Sequence, residues 1–359
     1  MGKLASPKSD ASQAEPRRGR LKVFLGATPG AGKTYAMLRE AHQMLARGHD
    51  LVVGYVETYN RPRTVELIAG LEVIPRIKVE YRGTVLEEMD LEAVLRRNPE
   101  TVLVDELAHT NVPGVRHAKR WQDVEDIRAA GIDVITTVNV QHVESVKDLV
   151  EQVTGIVVRE TVPDKELDGA DEIQFIDITP EALRKRMRHG NIYEKDKVET
   201  ALANFFRPQN LSAIRQIGLR LVADSMARSR HVIESPEDAL VAVSGRSSSE
   251  DLIRRGARLA RRLGGSCIVV MVRIDSSNGT EVERLRSLAA QLGASFAILG
   301  GADVADAVVQ AARDASVEHV VVGEMVRGAA WSALRPTLVD RIIDGLPDSD
   351  VHVIARLVR

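Results

Sequence analysis

The chain has 359 residues, a formal net charge of −2 and one cysteine, with 44% hydrophobic and 28% charged residues. This is the composition of a globular protein long enough for two domains, and its balanced charge gives no reason to expect a nucleic-acid partner. The lone cysteine fits a reducing compartment, and no apolar run approaches the roughly 20 residues of a membrane-spanning helix, so we expect a cytoplasmic protein without a membrane span.

The chain begins with a polar segment and continues with alternating strands and helices. Residues 1–20 are basic and lack an apolar stretch, and we interpret them as a disordered leader rather than a secretory signal. Short β-branched runs separated by helical stretches predict parallel strands joined by crossover helices. The predicted strands are 21–25, 51–56, 101–104 and 134–138. These elements predict a first α/β domain over residues 21–180.

Two further regions follow this domain. Residues 181–235 have a helical pattern interrupted at Arg207-Pro208 and Ser235-Pro236, and we interpret them as a helical extension and linker. Residues 236–359 return to alternation and predict a second, smaller α/β domain. Its predicted strands are 239–243, 267–272, 296–299, 319–322 and 351–354, and its predicted helices are 252–263, 282–292, 304–315 and 338–343. The overall prediction is an α/β protein with two doubly wound parallel sheets.

A glycine-rich segment connects the first predicted strand to a helix. Residues 26–34 read GATPGAGKT, which is a Walker A motif in its usual strand–loop–helix setting. Such a loop wraps phosphate oxygens with backbone N–H groups, while Lys33, expected to lie exposed at the loop end, supplies a positive charge and Thr34 binds Mg²⁺. One departure is that Ala27 holds the first glycine position. The predicted nucleotide-binding residues here are Thr28, Pro29, Gly30, Ala31, Gly32, Lys33 and Thr34.

The strand predicted at 101–104 ends in two carboxylates, Asp105 and Glu106. This pattern is typical of a Walker B strand, in which the aspartate lies beside the magnesium ion and a following glutamate orients or deprotonates an attacking group. We therefore predict that Thr34 and Asp105 hold Mg²⁺. Glu106 is the candidate catalytic base, and Glu57, which follows the second strand, is the alternative. Together with the Walker A motif, these residues predict a P-loop NTPase-like sheet.

Other polar side chains follow the predicted strands, at the sheet edge where open parallel sheets bind ligands. His109, Asn111 and Asn139 are candidate sensors of the terminal phosphate, although a helix-cap or loop role is the alternative for each. Four arginines near these positions are candidate charge-neutralising fingers, but a solvent-exposed basic face is the preferred interpretation of each. These arginines are Arg61, Arg63, Arg116 and Arg120.

Several longer strings resemble the cytoplasmic N-terminal region of the KdpD sensor kinases. They are GYVET at 54–58, VDELAHTN at 104–111, TTVNVQHVES at 136–145, RETVPD at 159–164 and NFFR at 204–207. The resemblance spans about residues 21–232. It implies a regulatory, ATP-binding input module of a two-component sensor that controls high-affinity potassium uptake in response to potassium and osmotic stress.

Residues 237–359 are similar to the universal-stress-protein domain that follows in the same family. Many such domains bind ATP through a Gly-x2-Gly-x9-Gly-Ser/Thr pattern, but here Val326 stands three places after Gly323 and no Gly-Ser/Thr pair follows. Some sensors of the family bind cyclic di-AMP through this domain, and the resemblance makes Ser247, Ser248 and Ser249 candidate phosphate contacts. A serine-rich helix cap is the alternative for these residues.

Full-length members of the family continue into transmembrane helices and a histidine kinase, so we expect this chain to be a short form without them. Three hypotheses remain open. The first is a regulatory module whose nucleotide state is relayed to a partner histidine kinase or another potassium-uptake signalling partner, either as a monomer or as a homodimer. The second is a slow P-loop ATPase or phosphotransferase. The third is a cyclic di-AMP receptor or scaffold with a structural P-loop.

Overall fold

The computed structural model describes residues 17–188, 195–229, 236–244, 248–272, 279–301, 303–324 and 337–355. Two separate parallel β-sheets organise these residues, each flanked by helices. The α/β class that the sequence predicts is therefore confirmed. Ser247, Val326 and Trp331 lie outside the described residues.

The first part of the chain contributes eight strands. These are β1 (Leu21–Gly26), β2 (Leu51–Tyr55), β3 (Glu72–Val73), β4 (Ile77–Tyr81), β5 (Thr84–Glu88), β6 (Thr101–Val104), β7 (Asp133–Asn139) and β8 (Glu172–Ile176). Six of them form a parallel sheet in the order β3-β2-β6-β7-β1-β8, while β4 and β5 form a separate antiparallel hairpin. The four strands predicted for this region are present within two residues of their predicted ends.

The strand order places the candidate motifs at one edge of this sheet. Because β7 lies between β1 and β6, its end pairs with the end of β1, and Gly26 is opposite Asn139. On its other side, β7 pairs with β6, so that Thr136 is opposite Val104. The glycine-rich loop, the two carboxylates and Asn139 therefore leave the sheet side by side, as parallel strands require.

Helices cover both faces of the first sheet. They are α1 (Lys33–Ala46), α2 (Pro62–Glu66), α3 (Leu91–Arg97), α4 (Arg120–Ala129), α5 (Lys147–Thr154), α6 (Asp164–Asp168), α7 (Pro180–Arg188), α8 (Lys195–Ala203) and α9 (Pro208–Ser229), with short 3-10 turns at Val140–His142 and Glu144–Val146. Helix α1 buries Met37, Leu38 and Ala41 against one face, as its apolar spacing predicts. The strands are consequently apolar on both sides, which parallel sheets covered by helices require.

The helical extension packs on the first sheet. Helix α9 begins at Pro208, where the sequence shows its break, and buries Ile214 in the same core as Val140 of the sheet edge. Helices α7 and α8 add a small core of their own around Leu183, Met187 and Phe206. Helix α9 thus packs beside β8, and helices α7 and α8 pack around it.

The second sheet has five parallel strands and four helices, in the number that the sequence predicts. The elements are β9 (Glu237–Val243), α10 (Ser249–Leu263), β10 (Gly264–Val272), α11 (Gly279–Gln291), β11 (Ser295–Leu299), α12 (Val304–Asp314), β12 (His319–Gly323), α13 (Leu338–Gly345) and β13 (Asp350–Ile354). The strand order is β11-β10-β9-β12-β13, with apolar cores on both faces. Within the described part of the chain, no helix combines the length and apolar character that crossing a membrane would require.

Candidate functional site: a charged cleft at the end of the first sheet

The glycine-rich loop joins strand β1 to helix α1 and uses its glycines in two different ways. Gly32 precedes helix α1 with a φ of 109°, a left-handed conformation that favours glycine. Gly26 has a different role, because a Cβ atom there would lie 2.6 Å from Cδ of Lys33. Ala27 is not among the residues with positive φ, so an alanine is tolerated at the first glycine position of the motif. The glycine one place earlier leaves room for the lysine side chain.

Lys33 is buried rather than exposed, which corrects the expectation from the sequence. It is only 9% exposed, and its Nζ donates a hydrogen bond to Oδ1 of Asn139. Burial lowers the pKa of Lys33 to about 8, against the opposing effect of the Asp105 and Glu106 carboxylates. The surroundings of Lys33 therefore compensate only part of the charge of its ammonium group.

Asp105 lies beneath the loop and is 1% exposed. Its carboxylate accepts hydrogen bonds from the Thr34 hydroxyl at 3.1 Å, from the Thr137 hydroxyl at 2.5 Å and from the Glu57 backbone N–H at 3.3 Å. The structure thus brings together Thr34 and Asp105, the pair predicted to hold Mg²⁺. A hydroxyl and a carboxylate are hard oxygen donors of the kind that Mg²⁺ prefers.

Glu106 adopts a backbone conformation that is rare for a residue with a side chain, with a φ of 59°. Its N–H donates to the Thr137 hydroxyl at 3.2 Å, and its carboxylate accepts a hydrogen bond from the Tyr59 hydroxyl. Burial, followed by the nearby Asp105 charge, raises the pKa of Glu106. A carboxylate with a raised pKa is a better proton acceptor, which is the property of a general base.

Glu57, the alternative base, has a different environment on the wall of the same cleft. Its carboxylate lies 3.4 Å from Nη1 of Arg76 and accepts a hydrogen bond from the Tyr55 hydroxyl at 3.4 Å. It also accepts one from the Tyr59 N–H at 3.3 Å. The Glu57 carboxylate is therefore engaged in an ion pair with Arg76, whereas the Glu106 carboxylate is hydrogen-bonded to the neutral Tyr59 hydroxyl.

Of the three candidate phosphate sensors, two line the cleft. Asn139 contacts Lys33, and His109 lies nearby with its Nε2 3.0 Å from Oε1 of Glu88. Asn111 is turned away, because its Nδ2 donates to Asp123 at 2.6 Å and to the His117 carbonyl at 3.1 Å. Asn111 is therefore part of a buried polar network beside the cleft rather than of its lining.

Arg120 is the clearest difference between sequence expectation and structure. It is fully buried, with Nη2 2.9 Å from the Glu88 carboxylate and Nη1 3.3 Å from the Asp105 carbonyl oxygen. Its guanidinium also lies 3.7 Å from the centre of the Tyr55 ring. The interpretation of Arg120 as an exposed finger or a solvated charge is wrong. It holds the backbone at Asp105, whereas Arg116 is exposed and pairs with Glu92 and Asp126.

These side chains surround a cleft of about 1060 Å³. Tyr59 and Thr137 line it although the sequence did not single them out. The predicted residues on its wall are Pro29, Gly30, Lys33, Thr34, Glu57, Arg61, Asp105, Glu106, His109 and Asn139. The other predicted loop residues, Thr28, Ala31 and Gly32, lie behind it, and the buried Thr28 hydroxyl has no partner among the described residues.

The serines of the second domain give a partial picture. Ser248 directly precedes helix α10, but its side chain makes no capping hydrogen bond there. Ser249 is buried, and its hydroxyl has no partner in the described part of the chain. The side chain of Ser248 therefore does not cap helix α10, as the alternative interpretation would require.

Comparison with known proteins identifies the family. The sequence profile of the osmosensitive K⁺ channel His kinase sensor domain, KdpD, matches residues 17–226. The chain belongs to this family. It is 46% identical to the sensor protein KdpD of Mycobacterium tuberculosis H37Rv over 94% of this chain and 41% of that protein, and 42% identical to that of Escherichia coli K12 over 95% and 40%. It is also 40% identical to a putative sensor protein KdpD of Synechocystis over 98% of both chains.

The chain thus spans about two fifths of the length of the M. tuberculosis and E. coli relatives. Among solved structures, a universal stress protein in complex with cAMP is 18% identical, with a TM-score of 0.29 over 34% of this chain and 98% of that one. A universal stress protein from Archaeoglobus fulgidus is 17% identical, with a TM-score of 0.25 over 36% and 98%.

Proposed function

We propose that this chain is an ATP-binding regulatory module of a two-component system that controls high-affinity potassium uptake in response to potassium and osmotic stress. Membership of the KdpD sensor-domain family supports the signalling role. The observation that carries the nucleotide role is the meeting of Lys33, Thr34, Asp105 and Asn139 in one cleft. These residues come from three different strand ends and converge on a space large enough for a nucleotide.

The residues fit a magnesium–nucleotide complex. The loop N–H groups and the Lys33 ammonium would hold the phosphates, while Thr34 and Asp105 would hold Mg²⁺, which neutralises phosphate charge when bound. The lowered pKa of Lys33 supports this fit, because a buried ammonium beside a neutral amide gains a strong partner when a phosphate approaches. The buried hydroxyl of Thr28, in the same loop, has no hydrogen-bond partner among the described residues. A small rearrangement of the loop on nucleotide binding would give it one.

A regulatory role requires that ATP and ADP make different contacts. Asn139 and Glu106 would provide this difference, since Asn139 accepts a hydrogen bond from Lys33 and the charge of Glu106 acts on the same ammonium group. The nucleotide state would then be relayed to a partner histidine kinase. The family resemblance implies that the longer relatives themselves end in a histidine kinase.

The test is a calorimetric titration of wild type, Lys33→Ala and Lys78→Ala with ATP and Mg²⁺, with phosphate release measured on the same samples. Lys78 is an exposed lysine of strand β4 and serves as the control for loss of one positive charge. We expect ATP binding to wild type and Lys78→Ala, and a loss of roughly 10- to 100-fold in affinity for Lys33→Ala, since a hydrogen bond to a charged group contributes about 1.5–3 kcal/mol. Absence of Lys33-dependent binding would refute the proposal.

The second candidate function is a slow ATPase or phosphotransferase, and the environment of Glu106 favours it. With its raised pKa and its Tyr59 hydrogen bond, Glu106 would take the proton of a water or hydroxyl group that attacks the terminal phosphate. Glu106→Gln should then abolish phosphate release while ATP binding persists. Glu57→Gln is the matched control, because Glu57 lines the same cleft but its carboxylate is engaged by Arg76. Equal turnover in wild type and Glu106→Gln would exclude this role for Glu106.

A further inference from the structure

Three arginines on helix α10 join the second domain to the first. Arg254, Arg258 and Arg261 follow each other at spacings of four and three residues, which places them on one face of the helix. Arg254 Nη2 lies 2.8 Å from Oε1 of Glu144, and Arg258 Nη1 lies 2.7 Å from Oδ1 of Asp148. Arg261 pairs with Asp164 and, at 3.2 Å, with Asp168. We call this set of pairs the arginine ladder.

The arginine ladder is buried at its centre. The side chains of Arg254 and Glu144 are 6% and 4% exposed, and Asp148 and Asp164 are also buried. The attraction within a buried ion pair offsets the free-energy cost of desolvation only when the geometry of the pair is good. If one member is removed, the other is left as a buried, uncompensated charge. Docking of the second domain through the ladder is therefore sensitive to small displacements of the three carboxylates.

The carboxylates of the ladder belong to segments that begin in the cleft. Asn139, the partner of Lys33, is the last residue of strand β7, and Glu144 follows it by five residues. Asp148 lies in the first turn of helix α5, directly after the 3-10 turn that holds Glu144. Segment 139–148 thus runs from the side chain that contacts Lys33 to two of the three rungs of the ladder.

A second segment takes the same route and is hydrogen-bonded to the first. Glu160 lines the cleft and accepts the Thr110 N–H at 2.8 Å, and Val162 forms a parallel bridge with Val143. At the far end of this segment, Oδ2 of Asp164 accepts the Ser145 N–H at 2.9 Å while Oδ1 faces Arg261. Segments 139–148 and 160–164 are hydrogen-bonded to each other. A displacement of either segment at the cleft therefore moves the carboxylates of the ladder together.

We propose that the arginine ladder couples the nucleotide state of the cleft to the docking of the second domain. This coupling rests on the proposed ATP binding, and the arginine ladder is the structural element that would respond to it. Binding equilibria at coupled sites are reciprocal, so disruption of the ladder changes the affinity for ATP by the same factor by which ATP changes docking. We expect a factor of about fivefold or more, the lower end of typical coupling between sites.

The first measurement is the ATP affinity of full-chain variants that lose rungs of the ladder. Arg254→Gln and Arg258→Gln remove two rungs, and the exchange of Glu144→Arg with Arg254→Glu restores one rung with reversed charge. Arg255→Gln is the matched control, since Arg255 lies on the same helix but borders the ends of β12 and β13. We expect a changed ATP dissociation constant for the rung variants, wild-type affinity for the control and partial recovery for the exchange. Circular dichroism checks that each variant is folded.

The second measurement follows docking directly by energy transfer between dyes on Lys78→Cys and Arg286→Cys, which are exposed positions in the two domains. Cys267 is buried and does not compete for labelling. ATP with Mg²⁺ should change the transfer efficiency in wild type and not after loss of the Arg254 and Arg258 rungs. If the Arg254 and Arg258 variants do not fold, the milder variant Asp148→Asn is measured in their place.

The outcomes separate this inference from the proposed function. If wild type shows no Lys33-dependent ATP binding, the proposed function fails and the coupling fails with it. If ATP binds through Lys33 but the rung variants keep wild-type affinity, and ATP leaves the energy transfer unchanged, the coupling alone is refuted. A changed affinity in the rung variants together with an ATP-dependent transfer signal supports it.

Discussion

The two parallel sheets of this chain share one layered architecture but differ in the charges that they bury. Among the described residues, the second sheet and its helices bury two side chains of the Asp, Glu, Lys, Arg and His types, Arg254 and His319, and Arg254 belongs to the interface with the first domain. The first domain buries ten such side chains. They are Lys33, Glu88, Asp105, Arg120, Asp123, Arg128, Glu144, Asp148, Asp164 and Glu166.

Burial of a charge costs free energy unless the charge is paired and hydrogen-bonded. The second domain forms the same kind of sheet with apolar cores on both faces, so the architecture itself does not require buried charges. In the first domain, Lys33 and Asp105 border the cleft and Glu144 and Asp148 border the arginine ladder. Under the proposed function, the sheet that buries charges is therefore the one that binds the charged ligand.

The largest expected effect comes from the buried pair of Arg120 and Glu88. Arg120→Met leaves the Glu88 carboxylate without its guanidinium and should lower the free energy of unfolding of the first domain by about 3–5 kcal/mol. Urea denaturation followed by Trp121 fluorescence in a Trp331→Phe background measures this. The double variant Arg120→Met with Glu88→Gln should recover part of the loss. A loss below about 1 kcal/mol, as for an exposed pair, would remove the contrast between the two domains.

The next effect concerns magnesium. Asp105→Asn should reduce the gain in ATP affinity that Mg²⁺ provides by roughly 10- to 100-fold, the value of about 1.5–3 kcal/mol for a charge-assisted contact. Binding of ADP without Mg²⁺ should change little. Asp133→Asn, at the opposite end of strand β7, is the control. Calorimetric titrations with and without Mg²⁺ make the comparison, and an equal loss under both conditions would contradict the assignment of Asp105 to the metal.

A smaller effect follows from the lowered pKa of Lys33, which is about 8. Phosphate binding favours the charged ammonium, so ATP binding should be accompanied by uptake of about three quarters of a proton at pH 8.5 and about a tenth at pH 7. Calorimetry in buffers of different ionisation enthalpy measures this uptake. Lys33→Arg is the control, because an arginine stays charged at both pH values. The same uptake in wild type and Lys33→Arg would show that another group titrates.

The smallest effect is expected on the surface of the second domain. Arg284 lies 2.7 Å from Glu281, but its side chain is 50% exposed. Arg284→Gln should therefore change the free energy of unfolding by less than about 1 kcal/mol, since solvent screens exposed ion pairs. Thermal denaturation of both proteins measures the difference. A loss comparable to that of Arg120→Met would mean that the charges of the second domain matter as much as those of the first.

Local patterns predicted most of the regular structure and part of the candidate site. Runs of four to six mostly apolar residues predicted strands, and the spacing of Met37, Leu38 and Ala41 predicted helix α1. Strands β3 and β8 and the hairpin of β4 and β5 escaped prediction, because their residues are exposed or partly exposed and lack a continuous apolar run. Tyr59 and Thr137 escaped for another reason. Tyr59 lies outside the strings that carry the family resemblance, and Thr137 lies in one of them without a residue type that points to a role of its own.

The sequence by itself determined the phosphate-loop motif, the adjacent carboxylates and the two α/β repeats, because each depends on residues that are close together in the chain. Tertiary structure alone decided that strand β7 lies between β1 and β6 and so brings Asn139 to Lys33, 106 residues away. It also decided that Arg120 turns inward and that Arg254 meets Glu144 across 110 residues. These contacts depend on strand order and on the packing of one domain against the other, which no local pattern encodes.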